Sequence, residues 1–549
     1  MVNFSAADYT RSPLLPLLYA VLFLSGAAIL ALELLASRIM TPYFGVSLYI
    51  WTGILSITLV SLALGYWAGG KVSGHPRAAT AERLAGLFAL LPAVAALAIV
   101  AACLAYPHVF LPLAGWSLIY GAFAACLILL FVPLVAASAM NPLLVAIALR
   151  RAREHPGDAG AGRVFFVSTI GSVAGVLVTA FAMIPHLTNF AATLVVALAL
   201  GLLSLVLAAI PTVQLHGRPA VVASALAATL AAGALLWNAD AYTGRQGPVQ
   251  YGGAAWRVEA SYGSMFGTVK ILRTAADPKS GLYHRMYFHD GLVQNTVDSH
   301  GRSESFYTYA LEALAYAYRP APRAALVLGL GAGMVPTRLA RRGVAVEVVE
   351  IDPNSLRVAR QFFGFDPSAV RVHHVDARTF VRSCGRRFDV VVVDLFHGDG
   401  TPDYLLTRDF FGGLRGCLAP GGVAVFNTFA DLERPAPYAH FLATLRAELP
   451  YLVLYRPDWP GAAHVNSFVV ASAAELPAPA RVTFDYVPER NSGSLWQMLA
   501  HPRAVDAALL AGGRIVTDAR NSALHDLAIA QMIHRRSVVE RLPAPLLVN

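Results

Sequence analysis

Residues 324–353 read AALVLGLGAGMVPTRLARRGVAVEVVEIDP, and this stretch decides the fold of the second half of the chain. The apolar run Leu326–Leu328 predicts a short, buried parallel strand. Gly329, Gly331 and Gly333 follow it directly. Because glycine has no Cβ, the chain can turn tightly there and its N–H groups can approach a ligand.

A helix over Val335–Arg342 and a second strand over Val346–Val349 complete a predicted βαβ unit. Glu350 stands at the end of that second strand. In such units, an acid about 20 residues beyond the glycines hydrogen-bonds the hydroxyls of a ribose. The pattern therefore predicts a nucleotide-type site, and a tight turn in an unliganded α/β domain is the alternative.

The composition separates this chain from ordinary soluble enzymes. Of its 549 residues 56% are hydrophobic and 14% are charged, and the apolar excess lies before Trp237. The net charge is +9, and much of the arginine in the first half lies in short loops between apolar runs. That distribution indicates a membrane surface, so we expect no nucleic-acid partner. The 4 cysteines form no CxxC pair, so neither a metal site nor a disulfide framework is predicted.

Seven apolar runs are long enough to cross a bilayer, which predicts a multi-pass protein of the cell (inner) membrane in contact with lipid. They are Leu14–Ala36, Leu48–Gly70, Leu84–Leu104, Ser117–Leu149, Val164–Ile184, Phe190–Ile210 and Pro219–Trp237. The fourth run is too long for one straight span. We therefore expect Pro133 and the pair Asn141–Pro142 to kink or break it.

Two features inside these runs are candidates for function. Small residues in the second and fifth runs predict close helix packing or, alternatively, the lining of a substrate path. They are Gly65, Gly69, Gly70, Gly171, Ser172 and Gly175. Glu33 lies in the first run, ahead of Arg38. A carboxylate in hydrocarbon costs several kcal/mol unless it is paired, so Glu33 is either functional or part of an interfacial pair with Arg38.

Charge and chemistry disagree on the orientation of the chain. Lys and Arg surround the second and fourth loops and are absent from the third and fifth. The positive-inside rule therefore places the basic loops in the cytoplasm, and seven spans would leave the second half outside. A nucleotide-like cosubstrate is, however, a cytoplasmic metabolite. On that ground we expect the soluble part to face the cytoplasm.

Shifts in composition divide the chain into four predicted parts. These are a transmembrane domain over 1–237, a linker over 238–255, a small β subdomain over 256–300 and a Rossmann-like domain over 301–549. In the last part, Glu350, Asp376 and Asp394 each end a predicted strand. Because the carboxyl ends of parallel strands meet at one edge of a sheet, we expect the three carboxylates to converge on one ligand. Each alone would also serve as a helix cap.

The region from Trp256 to Asn521 resembles the spermidine synthase family, the polyamine aminopropyltransferases. Besides the glycine loop, the matching segments are Asp290–Gln294, Glu350–Asp352, Asp376–Ala377, Val390–Asp394, Leu418–Gly422 and Thr517–Asn521. The whole chain resembles the membrane-fused branch of that family, whose first span carries a pattern like Glu33 and Arg38. The resemblance implies a multi-span helical membrane domain followed by a small β layer and a Rossmann-like domain of the class I methyltransferase or spermidine synthase type.

The resemblance also implies roles for single residues. The donor would be S-adenosylmethionine or its decarboxylated form, a cosubstrate bound without metal, and the acceptor an amine or polyamine. Glu350 would hold the ribose hydroxyls and Asp376 the adenine amine. Asp394 would orient or deprotonate the attacking amine, which is nucleophilic only when neutral. The remaining predicted nucleoside contacts are Gln294, Gly329, Gly331, Gly333 and Ala377.

Two acids of the family pattern are missing from this chain. One family acid lies in the glycine loop and the other lies three residues after the catalytic acid, and here Ala332 and His397 take those positions. Both family acids grip ammonium groups of the polyamine. Asp399 and Asp403 are candidate replacements, and His397 is itself a candidate base. The other candidate substrate contacts are Tyr307 and Tyr309.

Three functions agree with these observations. The first is aminopropyl transfer to an amine. The second is methyl transfer to a small or membrane-associated acceptor, which the loop sequence GLGAG favours. The third is a transporter or scaffold whose catalytically inactive soluble domain senses a nucleoside. Analogy with the family suggests a homodimer formed through the soluble domain.

Overall fold

The computed structural model describes residues 14–45, 48–76, 80–151, 159–211, 213–244, 246–396, 400–459, 464–521 and 524–549. They form two compact units. The first comprises Met1–Val249 together with Leu542–Asn549, and the second comprises Gln250–Arg541. This division differs from the predicted one, because the first unit continues past residue 237 and the C-terminal segment belongs to it. A segment as short as Leu542–Asn549 carries no composition signal that would assign it to one unit or the other.

The first unit is helical, and seven of its segments are long and apolar enough to cross a membrane. Its α-helices are α1 Leu14–Phe44, α2 Leu48–Ser73, α3 Ala81–Trp116, α4 Leu118–Cys126, α5 Val132–Arg151, α6 Ala159–Val178, α7 Ile184–His186, α8 Asn189–Ala209, α9 Arg218–Trp237 and α10 Ala239–Tyr242. Two π-helical segments, Leu127–Phe131 and Thr179–Met183, join α4 to α5 and α6 to α7. Each predicted apolar run corresponds to one of the seven segments.

The fourth of these segments changes its helical pitch next to Pro133. The π-helical segment Leu127–Phe131 lies just before this proline, whose missing N–H leaves a carbonyl one turn earlier without its helical donor. Pro142 lies inside α5, which continues to Arg151. The helical pattern therefore changes next to Pro133, as predicted, whereas α5 is not broken at Asn141–Pro142.

Small residues bring α1 and α6 into backbone contact. A Cβ added at Gly171 would overlap the carbonyl oxygen of Phe23. The Ser172 hydroxyl donates a hydrogen bond of 2.9 Å to the carbonyl of Gly26. These contacts favour close packing as the reason for the small residues. Gly70 differs, because no atom of the described residues lies within 4 Å of a Cβ added there.

Glu33 and Arg38 both lie within α1 and are partly exposed. Because an α-helix has 3.6 residues per turn, two positions five apart are separated by about 140° around the axis. Their side chains therefore start from different faces of α1, which does not favour a direct pair. Their contribution to function stays a prediction.

The second unit begins with a five-stranded sheet whose strands follow one another in space as in sequence. They are β1 Val249–Tyr251, β2 Ala254–Ser264, β3 Gly267–Thr274, β4 His284–His289 and β5 Leu292–Asp298. Asp290 and Gly291 make the turn between β4 and β5 with positive φ angles of 44° and 88°. The sheet starts within the segment predicted to be a linker, so the predicted start of the β subdomain at 256 is too late.

An eight-stranded sheet forms the centre of the second unit. Its strands are β6 Ala324–Leu328, β7 Ala345–Val349, β8 Arg371–His373, β9 Phe388–Val393, β10 Leu418–Asp431, β11 Tyr451–Tyr455, β12 His464–Ser472 and β13 Arg503–Ala504. The helices of this unit are α11 Phe306–Tyr318, α12 Met334–Arg341, α13 Pro353–Phe362, α14 Ala377–Arg382, α15 Arg408–Cys417, α16 Ala436–Glu448, α17 Glu489–Ala500 and α18 Leu524–Val539, with a 3-10 turn at Asp403–Leu405. A last helix, α19 Ala544–Leu547, belongs to the first unit.

The strand order confirms the predicted Rossmann-like fold. The order is β13-β11-β12-β10-β9-β6-β7-β8, with β6 to β10 parallel and β12 antiparallel to β10. Alternate residues of the parallel strands enter two separate apolar cores, so both faces of the sheet are covered. The order of connection reverses between β6 and β9. In open sheets of this kind, the ligand crevice lies at the carboxyl ends of the strands at that point.

Cys384 and Cys417 are paired, with their Cα atoms 5.6 Å apart. The absence of CxxC spacing predicted no disulfide framework, and these two cysteines lie 33 residues apart in the sequence. The packing of α14 beside α15 brings them together. Only the tertiary structure contains that information.

Candidate active site

The crevice at the carboxyl ends of β6 and β9 forms a cavity of about 350 Å³. That volume lies in the range of small-molecule sites. Glu350, Asp376 and Asp394 all line it, so the predicted convergence of three strand-end carboxylates is observed. Five other predicted nucleoside or substrate contacts line it as well: Gln294, Tyr307, Gly329, Gly331 and Ala377.

The glycine turn shapes the floor of this cavity. Gly329 has φ +94°, and a Cβ added there would overlap the carbonyl oxygen of Asp394, so β6 and β9 approach closely only because this residue is glycine. Gly331 has φ +52°, and a Cβ added there meets no atom of the described residues within 4 Å. Gly333, at φ +75°, lies against Phe365 and precedes α12. It supports the turn from outside the cavity and does not line it.

Glu350 is buried and positioned by the backbone on both sides. One carboxylate oxygen accepts the N–H of Leu330 at 3.0 Å, and the other accepts the N–H of Asp352 at 2.8 Å. Burial raises the pKa of Glu350 to about 7, although the two N–H donors act in the opposite direction. The remaining lone pairs face the cavity, where they can accept hydrogen bonds from a pair of hydroxyls.

Asp394 lies directly after β9, across the glycine turn from Glu350. Its Oδ1 accepts a hydrogen bond of 2.9 Å from the amide of Asn427, whose own oxygen accepts one of 3.2 Å from Asn466. This chain of amides fixes which atom of Asn427 faces the carboxylate. Burial raises the pKa of Asp394 to about 6, although the hydrogen bond from Asn427 acts in the opposite direction. A carboxyl group with such a pKa can accept a proton near neutral pH.

Asp376 both caps a helix and lines the cavity. Its Oδ1 accepts the N–H of Thr379 at 3.0 Å at the start of α14. Its Oδ2 accepts the Tyr404 hydroxyl at 2.8 Å, and Tyr404 also lines the cavity. The cap was predicted as an alternative to a ligand contact. The cap is observed and the residue also lines the cavity, so a contact of Asp376 with a ligand stays a prediction.

The small sheet and α11 supply the remaining wall. Gln294 projects from β5, and Tyr307 lies in the first turn of α11. The Tyr307 hydroxyl accepts a hydrogen bond of 3.3 Å from Asn295. Burial raises the pKa of Tyr307 and the neighbouring Asp394 charge raises it further, so the hydroxyl stays protonated at neutral pH.

Three residues singled out in the sequence do not reach the cavity. Tyr309 packs in the core on the other side of α11, where its hydroxyl donates to the Ser303 carbonyl at 2.7 Å. The prediction that Tyr309 contacts the substrate is wrong. Tyr309 is two residues after Tyr307, and side chains two residues apart on an α-helix point about 200° apart around its axis. Asp403 lies beside the cavity and accepts a hydrogen bond from Asn521 at 3.0 Å. Ala332 is buried in the apolar cluster beneath the small sheet and does not line the cavity.

His397 and Asp399, the other predicted catalytic residues, lie outside the described residues, and their roles stay predictions. Among the residues that the structure does describe, no group of three His, Cys, Asp or Glu side chains is placed to hold a metal ion.

Sequence reasoning missed Asn427, Tyr404 and Phe396. Asn427 follows the apolar run 423–426 of β10 in the same way that Asp394 follows the run of β9. That repeated pattern of a polar residue after a buried strand was a usable signal. Tyr404 and Phe396 lie on the connection after β9, where no pattern in the sequence points to a site.

We expect nucleoside affinity to fall as pH decreases through about 7. Glu350 accepts hydroxyl hydrogen bonds best as a carboxylate, and its pKa of about 7 leaves it mostly protonated one unit lower. If only the ionised form binds well, the apparent Kd rises about tenfold between pH 8 and pH 6. Calorimetry with methylthioadenosine, a neutral thioether nucleoside, measures this change in the absence of any amine acceptor. An affinity that is constant from pH 8 to pH 6 would contradict this role of Glu350.

Part of the second unit is similar to known proteins. Residues 304–446 match the family model described as the spermine/spermidine synthase domain. A polyamine aminopropyltransferase of Vibrio vulnificus is 36% identical over 136 residues, which cover 24% of this chain and 44% of that protein. An N-terminal histidine N-methyltransferase of Emericella nidulans is 31% identical over 200 residues, 34% of each chain. A spermidine synthase crystallised with the transition state analogue AdoDATO is 19% identical with a TM-score of 0.37, covering 47% of this chain and 90% of that one.

The chain spans less than half of the length of these first two relatives. The matched region begins at Glu304 just before α11 and ends at Arg446 in α16, so it contains β6 to β10 and the acids at the ends of β7 and β9. Residues 304–446 of this chain are therefore similar to the spermine/spermidine synthase domain.

Proposed function

We propose that the protein is a membrane-anchored transferase that moves an aminopropyl group from decarboxylated S-adenosylmethionine to an amine acceptor. The observation that carries this proposal is Asp394, a buried carboxyl group with a pKa of about 6 in the same cavity as Glu350 and Asp376. A site that only binds a nucleoside needs no proton acceptor of this kind. A site at which an amine is deprotonated during the reaction does need one.

The residues of the cavity fit a sulfonium nucleoside. Glu350 offers carboxylate lone pairs to the ribose hydroxyls, and Asp376 offers an oxygen to an exocyclic amine. The sulfonium is cationic, so the Asp394 carboxylate and the ring of Tyr307 favour it in this place. The open space above Gly331 lets the nucleoside approach the backbone.

The proposed transfer is a single displacement at carbon, in which Asp394 accepts the released proton. The neutral amine attacks the methylene carbon next to sulfur, a C–N bond forms, and the C–S bond breaks with its electron pair going to sulfur. The products are a neutral thioether nucleoside and an alkylated ammonium group. Asp394 accepts the proton that this ammonium loses, and Asn427 holds the carboxylate in place while it does so.

The test is incubation of the detergent-solubilised, full-length protein with each donor in turn and a panel of amines, with products identified by mass spectrometry. Methylthioadenosine and an acceptor extended by one aminopropyl group are expected from the decarboxylated donor. S-adenosylhomocysteine and a methylated acceptor would instead establish methyl transfer, the reaction of the Emericella nidulans relative by its name. Nucleoside binding without any product would support the nucleoside-sensing transporter or scaffold.

Membrane anchoring is supported by the length and apolar composition of the seven helical segments. α9, the shortest single helix among them, has 20 residues and is about 30 Å long, enough to cross the hydrocarbon core. Basic residues lie at one end of the bundle of spans: Lys71, Arg83, Arg150, Arg163 and Arg218. The short loops at the other ends of the same helices, residues 45–47, 117 and 187–188, carry no Lys or Arg, and the segment after Trp237 carries its first at Arg245.

Two lines of evidence predict opposite sides of the membrane for the second unit. The expected cytoplasmic side rests on the donor being a cytoplasmic metabolite. The charge distribution predicts the opposite side, because an odd number of spans separates the basic ends from the start of the second unit. The paired Cys384 and Cys417 fit an oxidising compartment, which agrees with the charge distribution.

Labelling in intact cells distinguishes these two orientations. Ser280 lies in an exposed turn of the second unit, and Gly74 lies at the basic end of α2. From the charge distribution, a membrane-impermeant maleimide should label Ser280→Cys in intact cells and Gly74→Cys only after lysis. The reverse pattern would place the catalytic domain in the cytoplasm. The homodimer expected by analogy is tested separately. The mass of the detergent-solubilised, full-length protein shows whether it contains one chain or two.

A further inference from the structure

The basic end of the helical unit contains a groove of about 540 Å³ between three of the apolar segments. It lies between the C-terminal end of α2 and the N-terminal ends of α3 and α9, and we call it the α2–α3–α9 groove. Because all three helices end there, the groove opens at the level where hydrocarbon gives way to lipid headgroups.

Basic and imidazole side chains line the mouth of the groove. They are Lys71 and His75 at the end of α2, Arg83 in the first turn of α3, and His216 just before α9. Among the described residues that line the groove, none is acidic. Glu82 is next to Arg83 in the sequence but does not line the groove. The mouth therefore carries the permanent positive charges of Lys71 and Arg83, which suit an anion.

The deeper part of the groove is apolar. Gly86, Leu87 and Leu90 line it from α3, on the same helix face as Arg83. Val221 lines it from α9. From Arg83 to Leu90 this face extends about 10 Å along the helix axis. A molecule that fills the groove therefore meets cations at one end and apolar side chains over the next 10 Å or so.

Backbone contacts hold the loop before α9 against α3 and so fix the shape of the groove. The N–H of His216 donates a hydrogen bond of 3.1 Å to the carbonyl of Glu82. A Cβ added at Gly86 would overlap the carbonyl oxygen of His216, so the loop approaches this closely only because residue 86 is glycine. Arg218 donates to the carbonyl of Val213 within the loop and does not line the groove. The groove is therefore formed before any ligand enters.

Trp67 marks the depth of the mouth. Its side chain is 63% exposed, and the Lys71 ammonium lies 4.8 Å from the centre of its ring, one turn further toward the end of α2. Exposed tryptophans are typical of the membrane–water interface, and a lysine one turn beyond extends its charge to the headgroups. A lipid phosphate at that level would lie beside Lys71.

We propose that the α2–α3–α9 groove binds an anionic phospholipid, with its phosphate beside Lys71 and Arg83 and an acyl chain along Leu87 and Leu90. Inorganic phosphate would leave the apolar length of the groove unfilled, so the occupant is a lipid. This site goes beyond the proposed transfer reaction and rests only on the proposed membrane anchoring.

The test is native mass spectrometry of the full-length, detergent-solubilised protein titrated with lipid. Phosphatidylglycerol is the anionic probe, and phosphatidylcholine with the same acyl chains is the probe without net charge. The first phosphatidylglycerol should bind about 10–30-fold more tightly than the first phosphatidylcholine, because two basic residues face its charge. Equal affinities for the two lipids would overturn the proposal. Displacement of phosphatidylglycerol by an equal concentration of inorganic phosphate would also overturn it.

Substitutions of single charges locate the site. Arg83→Gln should weaken phosphatidylglycerol binding about fivefold and change phosphatidylcholine binding by less than about twofold. The matched control is Arg163→Gln, because Arg163 is an exposed arginine at the same end of the bundle that does not line the groove. It should leave both affinities unchanged. Equal losses in the two variants would show that surface charge in general, and not this groove, attracts the lipid.

Ala220→Trp tests the apolar part of the groove without any change of charge. Ala220 is an exposed residue of α9 that lines the groove, so a large side chain there fills the groove without entering the core. It should weaken phosphatidylglycerol binding at least as much as Arg83→Gln does. Unchanged binding in Ala220→Trp would overturn the proposed site. Recovery of the unaltered protein from cells without detergent would instead overturn the membrane anchoring, so the two failures are distinguishable.

Discussion

Replacement of Asp394 by Asn should lower kcat by about 10²–10⁴-fold, the contribution usual for one acid or base. Asparagine has nearly the same shape, and its oxygen still accepts the hydrogen bond that Asn427 donates at 2.9 Å. It cannot accept a proton. Because the nucleoside is held by other residues, its affinity should stay within about twofold, so the loss appears in kcat. Single-turnover kinetics with the decarboxylated donor and calorimetry with methylthioadenosine measure the two quantities separately.

The matched control for this variant is Asp366→Asn. Asp366 is exposed, accepts hydrogen bonds from Ser368 within its own turn, and does not line the cavity that contains Asp394. It should retain full activity. An Asp394→Asn protein with the kcat of the unaltered protein would exclude Asp394 as the proton acceptor. It would leave the nucleoside-sensing function as the better account of the site.

Replacement of Glu350 by Gln should weaken nucleoside binding by about 10–100-fold, because hydrogen bonds to a charged acceptor contribute on the order of 1.5–3 kcal/mol. Glutamine places an NH₂ group where the carboxylate accepts the N–H of Leu330 or Asp352, so one donor faces another. The side chain must then turn away from the ribose position. The pH dependence of the affinity near pH 7 should disappear in the same variant, since Glu350 causes it.

Glu347→Gln is the control, because it changes another buried glutamate of β7 in the same way. Glu347 bonds His373 at 2.8 Å and pairs with Arg386 at 3.0 Å, and it does not line the cavity. We expect a lower Tm with an unchanged Kd for methylthioadenosine. If Glu350→Gln also lowers Tm but leaves Kd unchanged, Glu350 is a structural residue and not a ribose ligand.

Local signals in the sequence were enough to predict the strands of the parallel sheet and the acids that follow them. β6, β7 and β9 are largely apolar runs, and Glu350 and Asp394 directly follow β7 and β9. β8 is the shorter and more polar strand Arg371–His373, and Asp376 lies three residues beyond its end. A strand that is buried on both faces must be apolar throughout, so the change to a polar residue marks its end. Residues in helices were harder to assign. Tyr307 and Tyr309 have the same local pattern, and only the packing of α11 decides which one faces the cavity.

The sequence by itself determined the seven apolar runs, the βαβ unit and the carboxylates at the strand ends, because chain geometry forces each of these patterns locally. Only the tertiary structure decided which distant groups meet. The bond from Asn427 to Asp394, the pairing of Cys384 with Cys417, and the α2–α3–α9 groove all join residues from different elements. Burial of Asp394 and Glu350, which raises their pKa values, likewise exists only once the layers around the sheet have packed.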